Sequence, residues 1–276
     1  MLKHSLFRFF EKYFKIHLLP VHYYSPVPCV TKLDSKIFSE INSCDGLNMK
    51  DQKQIQFLDF ILASFASEFV PIANNGLSRV DSFILYAMIR ANKPKKMIEI
   101  GSGESTFISL EALSKNRSEG SSFIFHAIEP YPNSKLLSLS DSDFNLIIST
   151  VQDVSASFVI DADLLFIDSS HVSKIGSDVN YEILKLLPLL KIGAFVHWHD
   201  IMIPTDYPKH WIDKGTFWNE SYMVHSFMLF NSAYEIVWAS RYMQIMHESL
   251  LTSRMNFFTI EDLSQQLSSF WIRRIN

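Results

Sequence analysis

Glu99, Glu129, Asp153, Asp168, His171, His199 and Asp200 each fall at or just beyond the end of a short apolar run. A carboxylate placed there can accept hydrogen bonds from sugar hydroxyls or balance a cation. An imidazole titrating near neutrality can take a proton from an alcohol. In MIEIGSGESTF, residues 97–107, the turn Gly101-Ser102-Gly103 follows Glu99 closely. Glycines let backbone approach a ligand, and the first N–H groups of a following helix are free to bind it. Glu99 would repel phosphate and attract an ammonium or sulfonium. The third glycine of a dinucleotide fingerprint is missing, with Thr106 in its place. Glu129 stands where a carboxylate can accept both hydroxyl hydrogens of an adenosine ribose.

Delivering these groups to one rim requires a wound sheet. Apolar runs predict strands over 96–100, 122–128, 144–149, 163–167, 193–198 and 234–239, and helical spacing predicts helices over 104–115, 133–139, 176–190 and 219–231. This alternation points to parallel strands joined by right-handed crossovers, with ligands beyond the carboxyl ends of the strands. The closing SSFWIRRI reads as one more strand. Upstream, one helix runs from after Asn48 to Phe69, and a second starts at Ser78 and stops before Pro94.

Composition narrows the function classes. The 276 residues are 47% hydrophobic and 14% aromatic, ample for a packed core. A net charge of −4 supplies no basic field, so no nucleic-acid partner is expected. Cys29 and Cys44 match no zinc or disulfide spacing, which fits a reducing, cytoplasmic setting. No run is long and apolar enough to span a bilayer. In LKHSLFRFFEKYFKIHLL, Leu2, Leu6, Phe9, Phe10 and Tyr13 share one helical face, opposite Arg8, Glu11, Lys12 and Lys15. Such a helix docks on its own protein, or rests peripherally on a membrane or a partner.

EIGSG, the acid ending the second strand, FID and the closing strand together resemble the class I S-adenosylmethionine-dependent methyltransferases, over residues 70–276. LLFIDSSH, then a helix, then LLPLLKIGAFVHWHDI is similar to the group of macrocin-type sugar O-methyltransferases and cephalosporin hydroxylase-like proteins. HYYSPVP resembles a segment ahead of the domain in bacterial relatives. The expected architecture is therefore α/β: a Rossmann-like, doubly wound, mostly parallel seven-stranded sheet with an antiparallel C-terminal strand, after an N-terminal helical extension over 1–69.

The resemblance implies S-adenosylmethionine as cofactor, with Gly101 and Gly103 beneath its methionine part and Glu99 near the amine. It also implies Glu129 on the ribose, Asp153 near the adenine amino group and Asp168 near the cofactor amine. The expected reaction is O-methylation of a small-molecule acceptor, a sugar or glycan precursor among the candidates. His171 is expected to take the acceptor's proton, and His199 to face the substrate. Some relatives hold a divalent ion, Mg2+, on acids matching Asp168 and Asp200; here His199 intrudes where magnesium prefers oxygen. Trp198, Trp211, Phe217, Trp218 and Tyr222 are candidates for an acceptor-pocket wall. A non-catalytic scaffold of the same fold and a nicotinamide-dependent oxidoreductase are the competing readings, and a homo-oligomer stays open.

Overall fold

The computed structural model describes residues 2–71 and 76–276, with side chains from residue 6 onward in those ranges. The side chain of Leu2, counted above in the apolar face, lies outside the described residues.

Seven strands form one sheet: β1 (Lys96–Ile100), β2 (Ile124–Ile128), β3 (Phe144–Ile147), β4 (Leu164–Ile167), β5 (Phe195–Trp198), β6 (Tyr234–Ala239) and β7 (Phe270–Arg274). Their order is β3-β2-β1-β4-β5-β7-β6. The ladders from β3 through β5 are parallel, and β7 is antiparallel to both of its neighbours. This is the expected Rossmann-like arrangement. The C-terminal strand, however, inserts between β5 and β6 rather than closing an edge. Strand order reverses between β1 and β4, so the connections leaving their tips run to opposite sides and open a crevice there. β1 and β4 are almost wholly buried, as strands covered by helices on both faces must be.

Helix α1 (Leu2–Phe14) leaves Leu6, Phe9, Tyr13 and Phe14 exposed. Helix α2 spans Asp51–Phe65, α3 Arg79–Asn92 and α4 Glu104–Ser118. Ser78 caps α3 by accepting from the Asp81 backbone N–H at 2.9 Å. The stretch 176–190, predicted as one helix, is an α turn (Asp178–Tyr181), a π turn (Glu182–Leu186) and a 3-10 turn (Leu187–Leu189). Pro188 lacks the N–H that a continuous helix would need. Among the described residues no helix is long and apolar enough to cross a membrane.

The chain divides into two compact units, one of Met1–Ile41 with Thr205–Phe217, the other of Asn42–Pro204 with Trp218–Asn276. The second holds the whole sheet and also α2, so the expected extension over 1–69 ends earlier, at Ile41. Packing explains the difference. Leu58 and Ile61 of α2 are fully buried in the same core as the sheet. Gln54 donates to the Met49 carbonyl and accepts from the Ala239 N–H at the end of β6.

Candidate functional site

At the end of β1 the chain turns through Gly101 with φ +78°. A methyl group there would stand 1.9 Å from the Asp168 carbonyl oxygen, so the turn lies directly against the tip of β4 and admits only glycine. Gly103, at the start of α4, faces open space where a side chain would project. Glu129, just past β2, secures the turn from the other side by accepting from Ser102 N at 3.1 Å and Tyr131 N at 2.6 Å. The hydroxyl of Ser102 is buried without a partner among the described residues. Between these tips opens a cavity of about 460 Å³, lined in part by Gly101, Glu129, Gln152, Asp168, Lys174 and Asp178. That volume is in the range of small-molecule sites, about 300–1,000 Å³.

Two expected ligand contacts lie elsewhere. Glu99 is fully buried and absent from the cavity wall; its two oxygens accept from Ser105 Oγ at 2.5 Å and Thr106 Oγ1 at 2.6 Å. Strand side chains alternate, and Glu99 falls on the face covered by α4. It therefore ties β1 to that helix instead of approaching a cofactor amine. Burial pushes its carboxyl up to about 8, against the pull of the two hydroxyl donors. Thr106, where a third glycine would stand, closes this clamp. Asp153 is exposed and accepts from Thr150 Oγ1. β3 ends at Ile147, sooner than expected, and the residue brought to the cavity is Gln152. Its amide nitrogen donates to the Gly176 carbonyl at 3.0 Å, while its buried oxygen has no partner among the described residues.

Asp168, His171, His199 and Asp200 do converge. His171 Nε2 is 3.2 Å from Asp168 Oδ1 and 3.8 Å from Asp200 Oδ2. His199 Nδ1 is 3.3 Å from Asp200 Oδ2 and 3.8 Å from Asp168 Oδ1. Both imidazoles are buried, and His171 and Asp200 hold left-handed backbone angles, φ +59° and +56°. Such angles persist where surrounding contacts impose them. For His171 these contacts come from the start of the helix Glu220–Met228. Its carbonyl accepts from Asn219 N and Glu220 N, its Nδ1 meets the Glu220 carboxylate at 2.8 Å, and its ring packs on Trp218 at 4.2 Å.

Burial opposes charge on His171, yet the Asp168 and Glu220 carboxylates outweigh it and raise the imidazole well above its ordinary range. Burial likewise opposes His199, but Asp200 and Asp168 lift it to about 9. The two aspartates are held below the usual carboxylate range, because the imidazolium neighbours overcome their burial. Burial raises Glu220, and raises Glu182 strongly with Glu220 close by.

Glu220 and Ser268 carry no sequence signal for this site. Glu220 is an ordinary acid in the first turn of a helix, 49 positions from His171. Ser268 approaches His199 and Asp200 because β7 is inserted beside β5. Of the aromatic residues read as a pocket wall, Trp198 is fully buried in the core, and Trp211 and Phe217 belong to the first unit.

Among the described residues, Asp168, His199 and Asp200 offer one ligand atom each, all within 4.8 Å of one another. Magnesium takes hard oxygen ligands in a near-ideal octahedron. An imidazole nitrogen stands between the two carboxylates here, so the donor set does not fit the magnesium ion that the sequence resemblance left open.

Residues 98–201 match a family model described as a methyltransferase domain. A protein of Archaeoglobus fulgidus, described as uncharacterized, is 29% identical over 159 residues, covering 50% of this chain and 71% of that protein. Among solved structures, the SAH-bound methyltransferase PaMTH1 of Podospora anserina is similar at 14% identity, covering 81% of this chain and 88% of that one with a TM-score of 0.45. The O-methyltransferase from Bacillus cereus in complex with SAH is similar at 10% identity, covering 100% of both chains with a TM-score of 0.42.

Proposed function

We propose, from the match of residues 98–201 to a methyltransferase-domain model, that the protein transfers the methyl group of S-adenosylmethionine to a hydroxyl oxygen of a small molecule. The observation that carries this reading is the cavity at the β1/β4 crevice, where Gly101, Glu129, Gln152 and Asp168 meet. Glu129 offers carboxylate oxygens to the ribose hydroxyls. The unpartnered oxygen of Gln152 suits an adenine amino group, which can donate to it. The open space above Gly103 leaves room for the methionine part at the start of α4. The acceptor class, a sugar or glycan precursor, rests on the sequence resemblance.

Methyl transfer is an in-line displacement. The acceptor oxygen forms a bond to the methyl carbon, the sulfur–carbon bond breaks, and its electron pair stays on sulfur as a neutral thioether. The protein's contribution is alignment and exclusion of water. The hydroxyl proton must also leave; because His171 is held as an imidazolium between Asp168 and Glu220, the Asp168 carboxylate that lines the cavity is the group to receive it, with His171 balancing its charge. Glu220 at Nδ1 fixes the ring's orientation.

Calorimetric titration of the full chain with SAH tests the cofactor half of the reading. Binding is expected, and Glu129→Ala should weaken it about 10- to 100-fold, the worth of hydrogen bonds to a charged group. No binding at millimolar SAH removes the proposal. Incubation of cell extract with the protein and methyl-labelled cofactor, read by mass spectrometry, tests transfer; label on nitrogen or carbon instead of oxygen would overturn the hydroxyl assignment.

A further inference from the structure

We propose that residues 6–24 form a docking surface for the anionic face of a phospholipid bilayer, with α1 lying in the plane of the headgroups. The surface belongs to the first unit, so the inference goes beyond the methyl-transfer reading and does not depend on it.

Ten large apolar side chains are exposed within residues 6–24. Single exposed apolar residues are ordinary on a protein surface, whereas a contiguous patch marks a place where something binds. Here the patch is contiguous. The ring of Phe9 packs on Phe10, Tyr13 and Phe14 at centroid separations of 5.7, 5.1 and 6.0 Å. None of the described α1 side chains is buried, and Phe9 and Tyr13 are 49% and 63% exposed. Lys15 ends the helix with φ +56°, its N–H donating to the Glu11 carbonyl at 3.2 Å. The run beyond it leaves Leu18, Leu19, Tyr23 and Tyr24 exposed as well.

Charge decides what covers this patch. Residues 1–33 hold five of the chain's 25 lysines and arginines but one of its 29 acids. That acid, Glu11, lies 3.1 Å from His17 Nε2, and the His17 ring stacks on Phe7 at 5.2 Å. Arg8 and Lys12, four residues apart, stand in line on the face opposite Leu6, Phe9 and Tyr13, and both are exposed. Beyond residue 33 the acids outnumber the lysines and arginines. An anionic surface therefore attracts this segment while the net charge of the remaining chain is repelled, which fixes the part that touches it.

The make-up of the apolar face separates a bilayer from a helical partner. A coiled-coil seam is a narrow stripe of aliphatic residues. Five of the 13 residues of α1 are Phe or Tyr, and with Leu6 they spread over about 160° of the helix circumference at 100° per residue. Broad aromatic faces opposite lysine and arginine are what the boundary between headgroups and acyl chains accommodates. At 1.5 Å per residue the helix is about 20 Å long, short of a hydrocarbon core of ~30 Å, so it lies along the surface instead of crossing it.

The test is flotation of the full chain with vesicles of phosphatidylcholine alone and of phosphatidylcholine with about 30% phosphatidylglycerol. Binding to the acidic vesicles is expected to be at least about 10-fold tighter than to the neutral ones, and to weaken steeply between about 0.05 and 0.5 M salt. Each cation near an anionic surface contributes about fivefold, so Arg8→Gln with Lys12→Gln should weaken binding to acidic vesicles about 25-fold. Phe9→Ser with Phe14→Ser should weaken it at least about 10-fold through lost apolar burial. Amide hydrogen exchange localises the contact: an isolated helix this short is marginal in water, so residues 6–14 should gain protection on acidic vesicles. All four substituted side chains are exposed, and urea unfolding checks that the variants keep the fold; if they do not, the wild-type vesicle comparison and the exchange pattern decide. No binding to acidic vesicles overturns the proposal and leaves the face to a protein partner. Equal binding to neutral vesicles overturns it too, as does protection confined to other segments or binding untouched by the phenylalanine pair. Dimers in sedimentation equilibrium that the phenylalanine pair dissolves and vesicles do not would assign the face to a second copy of the chain instead.

Discussion

Gly101→Ala places a methyl carbon 1.9 Å from the Asp168 carbonyl oxygen and 2.6 Å from its carbonyl carbon. Ordinary contact needs more than 3.4 Å, so the turn and the tip of β4 must part by over an ångström. Both are backbone, and neither can swing aside as a side chain would. The substitution also puts a Cβ on a residue at φ +78°. The conformational part costs about 1–2 kcal/mol, and the forced overpacking about 1–3 kcal/mol more. Urea unfolding should therefore show a loss of about 2–5 kcal/mol, with an unchanged dependence on urea. Because the displaced backbone carries Asp168 and adjoins Glu129, SAH binding should fall as well. Gly103→Ala is the matched control. Its added carbon meets nothing within 4 Å and its φ of −163° is extended, so stability should change by no more than about 1 kcal/mol. Any loss of SAH affinity there would come from the ligand's own need for the space. Gly101→Ala within 1 kcal/mol of wild type would refute the view that β1 and β4 meet as a rigid backbone contact.

Three further outcomes follow from the same geometry. Gln152→Leu should weaken SAH binding about 3- to 12-fold, the worth of one neutral hydrogen bond, whereas Asp153→Ala should leave it unchanged; the reverse pattern by calorimetry would return the adenine contact to Asp153. Burial pushes the Glu99 carboxyl up to about 8 in the folded chain, against an ordinary value of 4.5, so the unfolded chain releases this proton first as pH rises. Its contribution is thus most favourable below pH 4.5 and declines through the window from 4.5 to 8, with a slope of up to about 1.4 kcal/mol per pH unit. Glu99→Gln should flatten that part of the curve in urea unfolding at pH 5 and pH 8, and identical pH dependence in the two proteins would contradict the burial argument. His171→Ala removes the cation paired with Asp168 and should lower transfer to an identified acceptor while SAH affinity stays within about twofold; unchanged turnover would show that the pairing has no part in the reaction.

Periodicity alone determined a good deal of this protein. β1 and β6 occupy the predicted residues, and the antiparallel C-terminal strand is present, because alternating apolar runs and helical stripes are local properties of the chain. Gly101, Glu129 and Asp168 were legible as one rim for a related reason: in a parallel sheet, residues at successive strand tips share an edge whatever their distance in sequence. Side-chain direction was not legible. Glu99 sits on the rim strand yet points under α4, and a strand that ends two residues early brings Gln152 to the cavity in place of Asp153. Nor could local pattern find Glu220 behind His171 or Ser268 behind His199, since each meets its partner only when a distant helix or an inserted strand packs against the tip. Element type follows from neighbours along the chain, whereas the orientation of a buried polar group follows from whichever partners folding places around it; only the tertiary structure holds those.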